Sequence, residues 1–255
     1  MKTPRRALLE VIVLFLPSIP AYIWLWPNVS GASLWAADIV VYLYVLAGTL
    51  FIGLRRWKPD ALGLNRRGLV VSLGSGLLLV GGRVLVMLAV SWGKAPPPYS
   101  ALRLAGDILY YFGLVGLVEE LLFRGLVYRI FQDWLGLKWA IWGSSLGFML
   151  WHIFGHGPII GLATLFFGLF FALARWRAGG ILGLVVVHGL MDITSAAMLP
   201  DSDVLGLGRP QVPYPGLLAV GCLLILLAPL YLWKIHPQVM RWVLKPENPI
   251  KPDGS

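Results

Sequence analysis

Residues 114–128 read LVGLVEELLFRGLVY: two adjacent glutamates, Glu119 and Glu120, and an arginine, Arg124, set in an otherwise apolar run. Carboxylates are costly in a low-dielectric interior, so at membrane depth they are rare and usually mark function. Two further apolar runs carry histidines: FMLWHIF, with His152, and VVVHGLMDI, with His188 and Asp192. Groups able to move protons or stabilise charge thus recur in three runs of membrane type. That pattern points to an enzyme whose active site lies within a bilayer.

Composition supports the membrane setting. The 255-residue chain is 58% hydrophobic and 13% charged, with a mean hydropathy of +0.77. A soluble domain carries roughly twice that charged fraction. The apolar runs are continuous, unlike the alternating segments of a membrane barrel. The net charge of +9 comes from basic residues placed between apolar runs. They read as orientation signals, so no nucleic-acid partner is expected. The single cysteine, Cys222, excludes an internal disulfide and reads as buried filler.

The expected fold is all-α, a polytopic membrane bundle of about eight helices near 7–26, 34–54, 69–92, 104–131, 138–154, 159–176, 179–199 and 216–234. The first run contains Glu10, Pro17 and Pro20 and lacks a clear cleavage site, so it reads as a retained span. Residues 57–68 read as a surface loop or short interfacial helix. The expected parts are N-terminal helices and loop (1–100), a catalytic core (101–200), an outer loop with the last helix (201–245) and a disordered tail (246–255). With both termini inside, seventeen of the 21 lysines and arginines, Arg124 and Arg175 among them, fall on inner segments. Lys94, Arg103 and Arg209 fall outside, and Arg83 sits within the third run. This split predicts cytoplasmic termini, and the compact chain suggests a bacterial cytoplasmic membrane. Most of the twelve tryptophans read as interface anchors.

The predicted helices put Glu119, His152, His188 and Asp192 at one level, roughly 14 to 21 Å from the inner ends at 1.5 Å per residue. Glu120 and Arg124 are i and i+4 on one face, as are Phe148 and His152, and His188 and Asp192. An aspartate one turn from a histidine can fix the ring's tautomer.

The elements E119-E120-L-L-F-R124, F148-M-L-W-H152 and H188-G-L-M-D192 resemble the motif set of the CAAX prenyl endopeptidase family and its bacterial relatives, the CPBP or Abi-type intramembrane proteases. That family's pattern is EExxxR, then FxxxH, then HxxxN or, less often, HxxxD. The resemblance covers about residues 100–200. It implies an endopeptidase cutting a membrane-associated protein or peptide, with the bilayer as its other partner. Glu119 is then the base and His152 holds and polarises the water, with His188 and Asp192 at the oxyanion. Glu120 and Arg124 form an ion pair that positions Glu119, and Phe148 packs to hold His152. Asp192 departs from the commoner Asn, which can donate to an oxyanion where an ionised Asp cannot, so Asp192 acts protonated or through His188.

No cofactor is expected, although Glu119, His152 and His188 leave open a divalent-metal site. His156, one turn after His152, makes an H-x-x-x-H alternative that the predicted helix places in the outer turn. Arg83 either pairs with Asp192 or Glu120 or snorkels outward. Other function classes are a non-catalytic scaffold or bacteriocin-immunity-type protein of the same fold, and a proton-coupled transporter. Buried charges have no evident use in the first, and the lack of an inverted repeat weighs against the second.

Overall fold

A computed structural model describes residues 4–20, 28, 32–92, 100–198 and 215–235. Among the described residues the chain is helical, without strands. Eight helices recur in the order expected: α1 (Pro4–Phe15), α2 (Ala32–Leu54), α3 (Leu69–Ser91), α4 (Ala101–Leu135), α5 (Leu137–His156), α6 (Pro158–Ala178), α7 (Leu182–Met198) and α8 (Pro215–Leu230). Four segments of the described residues are long and apolar enough to cross a membrane: Trp35–Leu54, Leu69–Ser91, Ala101–Leu135 and Gly161–Ala178. The protein is an integral membrane protein with a helical bundle. Its outward faces are apolar, with Val70, Leu77, Leu102 and Leu109 each exposed by more than 70%.

Several expectations are revised. The first helix stops at Phe15, before Pro17, and helix resumes at Ser18–Pro20, where the described residues of this segment end. Residues 21–26 of the expected 7–26 span lie outside the described residues, as do most of the loop 200–215 and the whole of the tail 246–255. The 57–68 segment is not a surface feature throughout. It makes a 3-10 turn, Pro59–Leu62, whose Leu62 is buried between Gly53 and Gly125. The Arg175 guanidinium donates from Nη2 to the Ala61 carbonyl at 3.2 Å and from Nε to the Arg124 carbonyl at 3.2 Å. Arg124 and Arg175 are both buried, so neither marks an inner surface. Cys222 is exposed on α8 and fills no core.

Helix ends follow local chemistry. Ser100 caps α4, its hydroxyl accepting from the Arg103 N–H at 3.1 Å. Gly136 alone links α4 to α5, and Gly157 alone links α5 to α6; their φ values of 87° and 85° are left-handed territory that favours glycine. Within α4, two eight-residue stretches, Leu109–Gly116 and Glu120–Val127, have π-helical hydrogen bonding, with Glu119 and Glu120 at their junction. Such widened turns occur frequently at functional sites.

The helix α4 lies between two cores. On one side Val118, Leu122 and Phe123 pack with Ala7, Val11 and Leu14 of α1, Tyr42 and Val45 of α2 and Trp151 of α5. On the other side lie Leu79 of α3, Phe170 and Phe171 of α6, Leu184 and Val187 of α7 and Ala228 of α8. Consecutive helical residues diverge by about 100°. Glu119 therefore turns to the first core while Glu120 turns to the second. The approach of α7 is close: a Cβ on Gly116 would stand 3.0 Å from the Val185 carbonyl oxygen and 2.8 Å from that of Tyr111.

Candidate active site

Glu119, Glu120 and Arg124 are almost wholly buried, with exposures of 3%, 0% and 0%. Their surroundings divide the two acids into different tasks.

Glu119 is held through one oxygen. Its Oε1 accepts from the Tyr42 hydroxyl at 2.6 Å and from Trp151 Nε1–H at 3.1 Å. Its Oε2 has no hydrogen-bond partner among the described residues. That oxygen stands 3.9 Å from His152 Nε2 and 3.6 Å from His188 Nε2.

His152 has its tautomer set by the helix that carries it. A carbonyl can only accept, so the 2.9 Å contact with the Phe148 carbonyl requires the proton on Nδ1. In the neutral ring, Nε2 then presents a lone pair toward Glu119. The Phe148 ring lies 4.3 Å from the His152 ring, centroid to centroid, and fixes its tilt. The same phenyl ring receives the Arg124 guanidinium at 4.2 Å.

Glu120 serves a different histidine. Its Oε1 accepts from Arg124 Nη1 at 3.1 Å and from His188 Nδ1 at 2.8 Å. The ion pair with Arg124 is the one expected, but it braces His188 through Glu120, where the family resemblance implied that it positions Glu119. Arg124 also reaches the Gly168 carbonyl at 3.4 Å and lies 5.0 Å from the Phe171 ring. Phe171 in turn stacks on the His188 ring at 5.3 Å. Asp192 stands on the other side, its Oδ2 3.6 Å from His188 Nε2. Glu120, not Asp192, therefore fixes the His188 tautomer. Three acids, Glu119, Glu120 and Asp192, surround that ring.

The structure thus brings together every predicted site residue: Glu119, Glu120, Arg124, Phe148, His152, His188 and Asp192. Arg83 on α3 is within electrostatic reach of Asp192, as anticipated for one of its two candidate partners. The side chain of His156 lies outside the described residues, and the H-x-x-x-H alternative with it. Glu119 Oε2, His152 Nε2 and His188 Nε2 are the atoms that could meet at a metal. Among the described residues, however, no group of three His, Cys, Asp or Glu side chains is arranged to hold one.

Three residues at the site went unread in the sequence. Tyr42 and Trp151 donate to Glu119, and Trp151 is no interface anchor. Asp38 is buried one helical turn before Tyr42, within electrostatic reach of Glu119. The available signal was the i, i+4 pair Asp38 and Tyr42 in an apolar run, a polar stripe inside a span.

Comparison with known proteins agrees with the motif reading. Residues 101–194 match the family described as type II CAAX prenyl endopeptidase Rce1-like. An uncharacterised 24.3 kDa protein of Escherichia coli is 34% identical over 96 residues, which span 36% of this chain and 42% of that protein. No solved structure matches. The matched segment 101–194 carries all seven predicted site residues, and the chain spans less than half the length of the Escherichia coli relative.

Proposed function

We propose that the protein is an intramembrane endopeptidase that hydrolyses a peptide bond in a membrane-associated protein or peptide, using a water activated by Glu119 and His152. The observation that carries this reading is the buried Glu119 Oε2, without a hydrogen-bond partner among the described residues and facing two imidazole nitrogens at 3.6 and 3.9 Å. Carboxylate oxygen and unprotonated Nε2 are both acceptors, so they call for a bridging molecule with two protons to give. Water is that molecule.

In the reaction, Glu119 Oε2 takes one proton as the water oxygen adds to the substrate carbonyl carbon. His152 Nε2 accepts the second hydrogen bond and directs the attack. Negative charge develops on the carbonyl oxygen, and His188, acting as the imidazolium with its Nδ1–H held by Glu120, offers its Nε2–H to it. Asp192 acts through His188, supporting the charge on the ring. Glu119 then passes its proton to the amide nitrogen as the C–N bond breaks. The amine leaves, the new carboxyl end is released, and Glu119 returns to the carboxylate. Burial supports the chemistry, because each of these electrostatic interactions is stronger in a low-dielectric site.

Mapping the N- and C-terminal ends of proteins in membranes carrying wild-type or Glu119→Gln protein tests the reading. Termini found only with the wild type establish proteolysis and name the substrate. Identical termini at equal protein levels overturn it.

A further inference from the structure

We infer that Tyr42 and Trp151 form a two-donor clamp that decides which oxygen of Glu119 acts as the base, making both of them positioning residues for the reaction. The inference rests on the proteolytic reading of the site. It extends that reading to a helix, α2, outside the segment matched by the family.

A carboxylate in open solution offers two equivalent oxygens. Here they are made unequal. Oε1 receives an O–H at 2.6 Å and an N–H at 3.1 Å, while Oε2 receives neither. Hydrogen bonds to an ionised acceptor are roughly twice as strong as neutral ones, so the rotation of the carboxyl group about its last bond is fixed. Oε2 is then the oxygen left facing His152 and His188.

The donors are themselves constrained. Tyr42 and Trp151 are buried and meet edge to face, their ring centroids 6.4 Å apart. Phe15 of α1 meets the Trp151 ring edge-on at 5.2 Å, and Tyr110 of α4 meets the Tyr42 ring at 6.4 Å. An aromatic cluster from α1, α2, α4 and α5 thus holds two polar atoms against one oxygen. A tyrosine needed only for packing would be replaceable by phenylalanine without consequence. The clamp predicts that it is not.

The test uses the full-length protein with Tyr42→Phe and Trp151→Phe, beside Glu119→Gln as the reference. The first readout needs no substrate: the infrared carboxylate stretching bands of Glu119, isolated as the difference between each protein and its own Glu119→Gln counterpart. The second is the rate at which the enzyme-dependent termini form in isolated membranes. The expected result is a shifted carboxylate band in both variants at an unchanged melting temperature. Cleavage slows by roughly tenfold to a hundredfold, as misplacement of a reacting group does. A Tyr42→Phe band superimposable on the wild type, or wild-type cleavage by Tyr42→Phe where Glu119→Gln is silent, overturns the clamp. If Glu119→Gln itself forms the termini normally, the proteolytic reading fails, while the band still decides whether the clamp exists.

Discussion

Glu120 and His188 are joined by a buried 2.8 Å hydrogen bond across 68 residues of sequence, tying α4 to α7. The same glutamate oxygen accepts from Arg124 at 3.1 Å, so one atom carries both a fully buried cation and an imidazole. Removing one partner of a buried pair strands the other charge, at a cost of about 3–5 kcal/mol. Glu120→Ala is therefore expected to lower unfolding stability by about that amount, measured by denaturant titration in detergent micelles. Glu120→Gln keeps an acceptor for His188 Nδ1–H and is expected to cost less. Equal stability of Glu120→Ala and the wild type would show that the Arg124 charge is compensated elsewhere.

Glu119→Gln and His152→Ala are each expected to reduce cleavage by roughly a hundredfold or more, the scale of a lost general base. Expression and melting temperature should stay near those of the wild type. Glu119 makes no ion pair with Arg124, so its neutralisation leaves the Arg124–Glu120 pair intact. Normal turnover in either variant would remove that residue from the mechanism.

Asp192→Asn is expected to remain active, because the amide can donate a hydrogen bond where the carboxylate only accepts. Asp192→Ala loses both options and should cleave roughly tenfold more slowly, the equivalent of one hydrogen bond worth about 1.4 kcal/mol. The relative rates of termini formation in the two variants check the assignment. An inactive Asn variant beside an active Ala variant would contradict it.

Gly116→Ala is a structural test of how the two acids meet α7. The added methyl would stand 2.8 Å from the Tyr111 carbonyl oxygen and 3.0 Å from that of Val185, and backbone atoms cannot swing aside as a long side chain can. The α4–α7 contact must widen, carrying His188 away from Glu120. Cleavage is expected to fall by up to about a hundredfold. Gly106→Ala, where a Cβ meets nothing within 4 Å, is the control and should be unaffected.

What could be read in the sequence was mostly what lies along one helix. Glu120 with Arg124 and Phe148 with His152 are i, i+4 pairs, and their spacing alone puts each pair on a common face. The family motifs then brought the three segments together. Partnerships between helices were not legible. The chain offers no spacing rule linking Tyr42 to Glu119 or Glu120 to His188, which are 77 and 68 residues apart. Asp192 was accordingly given the task of orienting His188, because it was the acid within one turn. The π-helical stretches of α4 were also invisible, since hydrophobic periodicity over eight residues does not separate them from an α-helix. Counting Arg124 on an inner segment has the same cause: its depth depends on what packs over it.

The single-glycine links at Gly136 and Gly157 set a limit on how this chain can vary in length. One residue added to α5 between Gly136 and His152 would rotate everything beyond it by about 100° relative to α4. His152 would leave the site while each helix stayed as apolar and as helical as before. Insertions and deletions in this region should therefore be lethal to function even when harmless to membrane insertion. The 14 residues between α2 and α3 offer slack that a link of one glycine does not.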